Sequence, residues 1–415
     1  MRRTNGTVAE RPIRGWPEHF EILDASRGLA ALAVVFHHLG YGLRFNLGHL
    51  SVMVFFVISG YCISASVESC IRKGLGFRQY MWRRIRRIYP PYFFAVLFFL
   101  GTRVIKAQVG MAHQFPKSLV TWIQTFTLTQ WLTLVMHPAR SAADNGSLIV
   151  AAFWSLNYEE QFYLVIGLMM LGAAALKRSV LAFVWPVMVC GIAWNWVFPA
   201  KSFGFFLEYW PHFGVGCLVF YRLCRVRSTA ARRAIDGSIA ALAVVALGML
   251  CFSGAEWSAR GRIVYVEWLA VSAFALVLIA LRPVNAVFAK SVLGAVLLRL
   301  GKITYSLYLV HQFNLHFAKA VSTALLPQQW PQGIHALVQA SALVAIATVF
   351  WYFCERPFLN KRLAVASPHS IEPSLKPALL WNGSPNRSSC LEANSSTSGG
   401  DAAAVAGGLR PGAGD

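Results

Sequence analysis

Apolar positions in this chain gather into long unbroken runs rather than alternating or heptad patterns. The runs lie near residues 26–43, 50–67, 88–106, 148–176, 179–198, 203–221, 235–253, 263–281, 303–325 and 333–353. Each is long enough, at roughly 17 residues or more, to cross a hydrocarbon core of about 30 Å as an α-helix. In lipid the backbone must satisfy its own hydrogen bonds, so these runs predict helices rather than open strands. The expected fold is all-α: a polytopic membrane protein with about ten transmembrane helices and both termini on one side. The stretch 118–136 is apolar but rich in Thr and Gln, and reads as interfacial or re-entrant.

The flanks differ from this pattern. Residues 1–22 are polar and carry Arg2, Arg3, Arg11 and Arg14, which predicts a basic N-terminal arm. No small-residue cleavage site follows the first apolar run, so a removable signal peptide is not expected. After about Ser367 the chain turns to Ser, Gly, Pro, Asn and Ala, a composition that predicts disorder. The expected organisation is therefore an arm at 1–22, an integral membrane domain at 23–360 and a disordered cytoplasmic tail at 367–415. No internal repeat emerges.

Composition supports the membrane assignment, with 56% hydrophobic and only 13% charged residues. The formal net charge of +21 raises the question of nucleic acid. The basic residues sit between apolar runs, however, as positive-inside anchors do, and nucleic acid is not an expected partner. They concentrate in the N-terminal arm, near 72–87, at Lys177 and Arg178, within 222–233 and 282–302, and from Arg356 onward. This asymmetry predicts cytoplasmic N- and C-termini in a cell inner (plasma) membrane. The eight cysteines include no C-x-x-C pair and mostly fall inside apolar runs, so they read as small buried hydrophobes. No metal site is expected.

Five polar stretches interrupt the apolar runs. In the first, Arg27 and His38 are eleven helical steps apart, which returns nearly to the same azimuth about 16 Å further along the axis. An ionisable group within a membrane helix is functional by default. His37 points about 100° away from His38, which favours His38. The second, Ser51 to Tyr61, carries Ser59-Gly60, where glycine permits close helix approach; it serves either packing or substrate contact. The third, Tyr80 to Tyr92, is arginine-rich, with Arg84 and Arg87 on one face and Pro90-Pro91 interrupting the helical pattern. Its guanidiniums suit either anionic lipid or bidentate phosphate binding. In the fourth, Phe153 to Tyr163, Glu160 would complete a capping box with Asn157. Glu159 has no such role and is the better candidate, as a partner for His38 or a binder of an acceptor hydroxyl. The fifth, Gly301 to His311, places Thr304, Tyr308 and His311 on one stripe, which serves as interhelical glue or as a site. Glu355 and Arg356, closing the last run, read as terminus anchors.

Together these stretches resemble the membrane-bound acyltransferase-3 family, whose members transfer acetyl and related groups to sugars and glycans. The resemblance rests on Leu23-Asp24 through Arg27 to His38, Phe55 to Tyr61, Arg84 to Pro90, Trp154-Ser155-Leu156 with Glu159 and Phe162-Tyr163, Tyr305 to His311, and Glu355 to Phe358. These occur in the family's order across about residues 21–360. The resemblance implies a ten-helix O-acyltransferase with His38 essential and Arg27, Arg84 and Arg87 as acyl-donor contacts. On chemistry His38 would serve as general base or transient acyl acceptor. From the residues themselves, Glu159 is expected to share in catalysis, and Tyr163, Tyr305, Tyr308 and His311 to bind or support the acceptor. The implied co-substrate is a cytoplasmic acyl-CoA, acetyl-CoA on family grounds, with no permanently bound cofactor. Many relatives carry an acid where this chain has Met53. Some carry a fused extracytoplasmic hydrolase-like domain, which is not expected in this chain, so it would complete the transfer alone or hand over to a separate envelope-assembly partner. The alternative is a secondary transporter or carrier of a lipid-linked sugar, since intramembrane polar groups also mark transport paths.

Overall fold

The computed structural model describes residues 20–41, 46–108, 118–139, 148–199, 201–252 and 259–359. The expected arm at 1–22 lies almost wholly, and the expected tail at 367–415 wholly, outside the described residues. The described chain is helical, without a strand; one isolated antiparallel pairing joins Ala139 and Ser202.

In chain order the helices are α1 (Glu21–His38), α2 (Leu47–Arg72), α3 (Phe77–Gln108), α4 (Leu119–Thr127), α5 (Trp131–Met136), α6 (Trp154–Ala175) and α7 (Leu181–Val197). They continue with α8 (Trp210–Cys224), α9 (Thr229–Phe252), α10 (Ala259–Leu281), α11 (Asn285–Lys290), α12 (Val292–Val310), α13 (Leu315–Leu325) and α14 (Gln332–Phe350). Among the described residues six helical stretches are long and apolar enough to cross a membrane, those beginning at Leu47, Phe77, Thr229, Arg262, Val292 and Gln332. The expected tenfold count is thus not reached on length and hydropathy alone. Helix α7 has 17 residues, α8 has 15, and α6 carries Glu159 and Glu160.

Several expected boundaries move. The apolar run 303–325 divides into α12 and α13 at a turn around His311–Asn314, and α12 begins earlier, at Val292. Pro90 and Pro91 do not break α3, which runs through both for 32 residues. Each proline lacks an N–H, so the carbonyls four residues back lose their helical donors while the helix continues. The Asn157–Glu160 capping box does not form, because a tight turn over Ala151–Phe153 starts α6 three residues before Asn157. Asn157 instead donates back to the Phe153 carbonyl, and Glu160 accepts from Tyr89 Oη.

Glycines set which helices touch. Lipid tails are as apolar as leucine, so association in a bilayer depends on close backbone packing. A Cβ on Gly60 of α2 would stand 2.0 Å from the Phe213 carbonyl oxygen, and one on Gly216 of α8 would stand 1.9 Å from that of Val57. The Gly60 seam therefore serves α8, whose residues Trp210 through Tyr221 are all buried at the centre of the bundle. Similarly, a Cβ on Gly301 of α12 would meet the Asp24 oxygen at 2.3 Å, and one on Gly28 of α1 would meet the Leu297 oxygen at 2.8 Å. Since the obstacle at Gly60 is backbone, no rotamer change relieves it. Gly60→Val should cost more than the roughly 1–3 kcal/mol of ordinary overpacking. Its monodisperse peak in detergent size-exclusion chromatography should collapse; a wild-type profile would show that the seam opens freely.

Candidate active site

A cavity of about 880 Å³ lies between α1, α2, α3, α6, α12 and the turn that ends α14. Its walls carry five cations (Arg27, Arg84, Arg87, Lys302 and Arg356) and four carboxylates (Glu21, Asp24, Glu159 and Glu355). Tyr163, Tyr305 and Tyr308 add hydroxyls, as do Ser59, Ser155 and Thr304. The structure thus brings Arg27, Arg84, Arg87, Glu159 and these three tyrosines into one space. Glu355 and Arg356, which read as anchors in the sequence, are also wall residues. Lys302 and Cys62 had no sequence signal separating them from ordinary anchor and core positions.

The carboxylates are largely engaged by neutral donors. Glu159 Oε1 accepts from Ser59 Oγ at 3.0 Å and from Tyr163 Oη at 2.5 Å, so its partners stand at the cavity rather than at His38. Buried Glu355 Oε2 accepts from the Ser306 amide at 3.1 Å and from Ser306 Oγ at 2.5 Å. Glu21 accepts from Asn285, which also uses its oxygen to cap the Ile22 amide at the start of α1, at 3.1 Å.

The cations keep more of their capacity. Arg27 pairs with Asp24 at 3.4 Å and reaches Cys62 Sγ at 3.2 Å. Arg84 donates to Ser66 Oγ at 2.6 Å, lies over the Tyr163 ring at 5.7 Å, and keeps its buried Nε without a hydrogen-bond partner. Exposed Arg87 and Lys302 make no hydrogen bond or ion pair to any described residue. Arg356 lies over Tyr352 at 5.0 Å. The mouth consequently presents guanidinium and ammonium groups that keep hydrogen-bond donors unused among the described residues, an arrangement complementary to an anion with several oxygens.

Tyr308 also lines the cavity, and its hydroxyl meets Ser155 Oγ at 2.6 Å and the Ala152 carbonyl. Tyr305 donates to the Ile88 carbonyl at 3.0 Å and fixes α12 against α3 beside the prolines. Behind Tyr308 stand two imidazoles. Gly28 lies opposite Gly301, and ten residues on in both parallel helices His38 lies opposite His311, with ring centroids 5.1 Å apart. The Tyr308 and His311 rings are 6.0 Å apart. His38 is therefore turned into the bundle, but it is not among the residues lining the cavity. Its neighbour His37 faces elsewhere, since a Cβ on Gly48 would stand 2.5 Å from the His37 ring.

His311 is wholly buried, and its Nδ1 lies 2.8 Å from the Tyr308 carbonyl and 3.2 Å from that of Leu307. Carbonyl oxygens only accept, so Nδ1 carries the proton and the lone pair sits on Nε2. That Nε2 has no hydrogen-bond partner. A buried, unpartnered lone pair beside a second imidazole is equipped to take a proton or attack a carbonyl carbon.

Comparison with known proteins bears on what this geometry serves. The acyltransferase domain of the acyltransferase-3 family matches residues 20–356. "Putative peptidoglycan O-acetyltransferase YrhL" of Bacillus subtilis is 28% identical over 169 residues, covering 39% of this chain and 26% of that protein. "Peptidoglycan O-acetyltransferase OatA" of Listeria monocytogenes is 25% identical over 158 residues, or 38% of this chain and 25% of its own. "Putative O-acetyltransferase SAS0844" of Staphylococcus aureus is 23% identical over 384 residues, 86% of this chain and 59% of that one. The chain thus spans about a quarter of the first two relatives and under two thirds of the third. With its apolar helices and a family match across nearly the whole described region, the chain belongs to the acyltransferase-3 family of multi-pass membrane enzymes that transfer acyl groups.

Proposed function

We propose that the protein moves an acyl group, acetyl by analogy with its relatives, from a cytoplasmic acyl-CoA to a hydroxyl of a sugar or glycan. The observation that carries this reading is the cationic mouth of the cavity, where carboxylates are engaged by hydroxyls and amides while Arg87 and Lys302 make no hydrogen bond or ion pair to any described residue. Arg27, Arg84 and Arg87 hold the phosphates of the donor. The pantetheine arm runs along the cavity toward Tyr308, and the thioester carbonyl reaches the His38–His311 pair once the tyrosine swings aside. His38 either takes the acceptor proton or carries the acyl group briefly. Glu159, with Ser59 and Tyr163, orders the wall along that path, and Tyr305, Tyr308 and His311 support the acceptor end. In this reading the protein sits in the plasma membrane with both termini cytoplasmic. The acceptor is a cell-envelope glycan, peptidoglycan being the one that relatives' names suggest, and a separate envelope protein receives or completes the transfer.

Purified protein incubated with radiolabelled acetyl-CoA and a glycan panel should pass label to a glycan. Acetyl-CoA at about ten times its Kd should also slow maleimide labelling of Cys62 roughly tenfold, because that thiol stands beside Arg27 in the cavity wall. Exposed Cys190, outside the cavity, should be unaffected. Unchanged Cys62 labelling together with unlabelled glycans would overturn the proposal.

A further inference from the structure

At the same end of the bundle as His38, three more ionisable side chains meet without any part in the donor cavity. His49 in the first turn of α2 places Nε2 2.7 Å from Glu267 Oε1 on α10. The other oxygen of Glu267 stands 3.2 Å from Nε2 of His212 on α8. Glu267 is 3% exposed and His212 is fully buried; neither ring nitrogen of His212 nor Oε2 of Glu267 makes a hydrogen bond among the described residues, so the 3.2 Å approach is a charge contact only. A carboxylate this deep in an apolar helix costs several kcal/mol unless its surroundings use it. The glycine seams already hold α2 against α8. The three groups do not form a metal site among the described residues.

We propose that His49, oriented by Glu267, is a second catalytic histidine, the one that takes the proton from the acceptor hydroxyl. The assignment rests on the acyl-transfer reading above and leaves His38 the role of carrying or receiving the acyl group. A carboxylate oxygen accepts, so His49 Nε2 donates to Glu267 and its lone pair lies on Nδ1. Nδ1 has no hydrogen bond to a described residue, and 27% of the side chain is exposed. The ring is held in place: it stacks on Trp154 at 5.5 Å and 17°, and the Asn46 side chain fixes the His49 amide at 3.0 Å. Position agrees with the role. The preceding residue, Gly48, packs on His37, beside His38. Phe56 lines the donor cavity and meets the Trp154 ring edge-on at 6.2 Å, so it is the partition between the two sites.

In the step assigned to His49 the acceptor oxygen bonds to the acyl carbon as its proton passes to Nδ1. The bond from that carbon to its carrier breaks, and the carrier leaves with the electron pair, as CoA thiolate or as the His38 ring nitrogen. The proton then moves from His49 to the leaving group or to water.

The test uses full-length protein in nanodiscs as wild type, His49→Ala and Glu267→Gln. Diethyl pyrocarbonate, which acylates accessible neutral imidazoles, should modify His49 faster than His212 or His311, and several-fold more slowly in Glu267→Gln. With radiolabelled acetyl-CoA and chitotetraose as acceptor probe, His49→Ala should lose about 100-fold in kcat. Its protection of Cys62 by acetyl-CoA should stay at the wild-type level, and free imidazole should restore turnover, which a purely structural ion pair would not allow. The assignment is overturned by an unreactive His49, by near-wild-type kcat in His49→Ala, or by a loss that imidazole does not rescue. Failure of acetyl-CoA to protect Cys62 in wild type, with no label passed to any glycan, would refute the parent reading instead. If wild type does not acetylate the probe, the reagent comparison decides on His49 alone.

Discussion

His38→Ala should abolish acyl transfer while the protein still folds and binds its donor. The half-buried ring ends α1 and faces His311, so its removal trims one side chain at a helix terminus and leaves the Gly28–Gly301 contact intact. What disappears is one of two imidazoles placed beyond Tyr308, and positioned proton transfer alone is worth about 10²–10⁴-fold. If His38 also carries the acyl group, the loss reaches the background rate. His37→Ala supplies the control, because that ring packs on Gly48 instead of His311 and should change kcat only a few-fold. Acetyl-CoA protection of Cys62 separates chemistry from binding: His38→Ala should keep it. Normal turnover in His38→Ala would remove the imidazole from the mechanism.

Replacing Arg84 and Arg87 together by alanine should raise the Michaelis constant for acyl-CoA by about 10²-fold, with a smaller effect on kcat. A hydrogen bond to a charged group contributes roughly 1.5–3 kcal/mol, so two such losses reach that factor even after exposed Arg87 is discounted for solvent screening. Arg84 is the deeper of the two, seated between Ser66 and the Tyr163 ring with its Nε still unused. Ionic strength gives a second reading. In wild type the Michaelis constant should climb with salt, since exposed charges at the mouth are screened beyond about 10 Å at 0.1 M. In the double variant that dependence should flatten. An unchanged Michaelis constant would return both arginines to lipid anchoring.

Most of the polar stretches that the structure gathers around the cavity were visible in the sequence, because hydrocarbon makes an intramembrane charge conspicuous. Arg27, His38, Arg84, Arg87 and Glu159 stood out on that ground, and all of them face the bundle interior or the cavity. The same logic misled at the helix ends. Glu355 and Arg356 resembled interfacial anchors because nothing local distinguishes a terminal carboxylate in water from one folded under Ser306. Glu159 was weighed as a partner of His38, but its position along α6 puts it beside Ser59 and Tyr163. Glu267 lies inside the run 263–281 and met the same criterion without being singled out, whereas His49, just ahead of the run 50–67, carried no such signal.

The sequence by itself determined that this is an all-helical membrane protein and where polar stretches interrupt its apolar runs, because a backbone in lipid must close its own hydrogen bonds and hydropathy records where it does so. Only the tertiary structure decided which stretches meet. Lateral order in a bilayer is set by a few close backbone contacts between distant glycines, and hydrophobicity says nothing about that choice. The register that seats Gly28 on Gly301 also seats His38 on His311, and neither half of the chain contains that information alone.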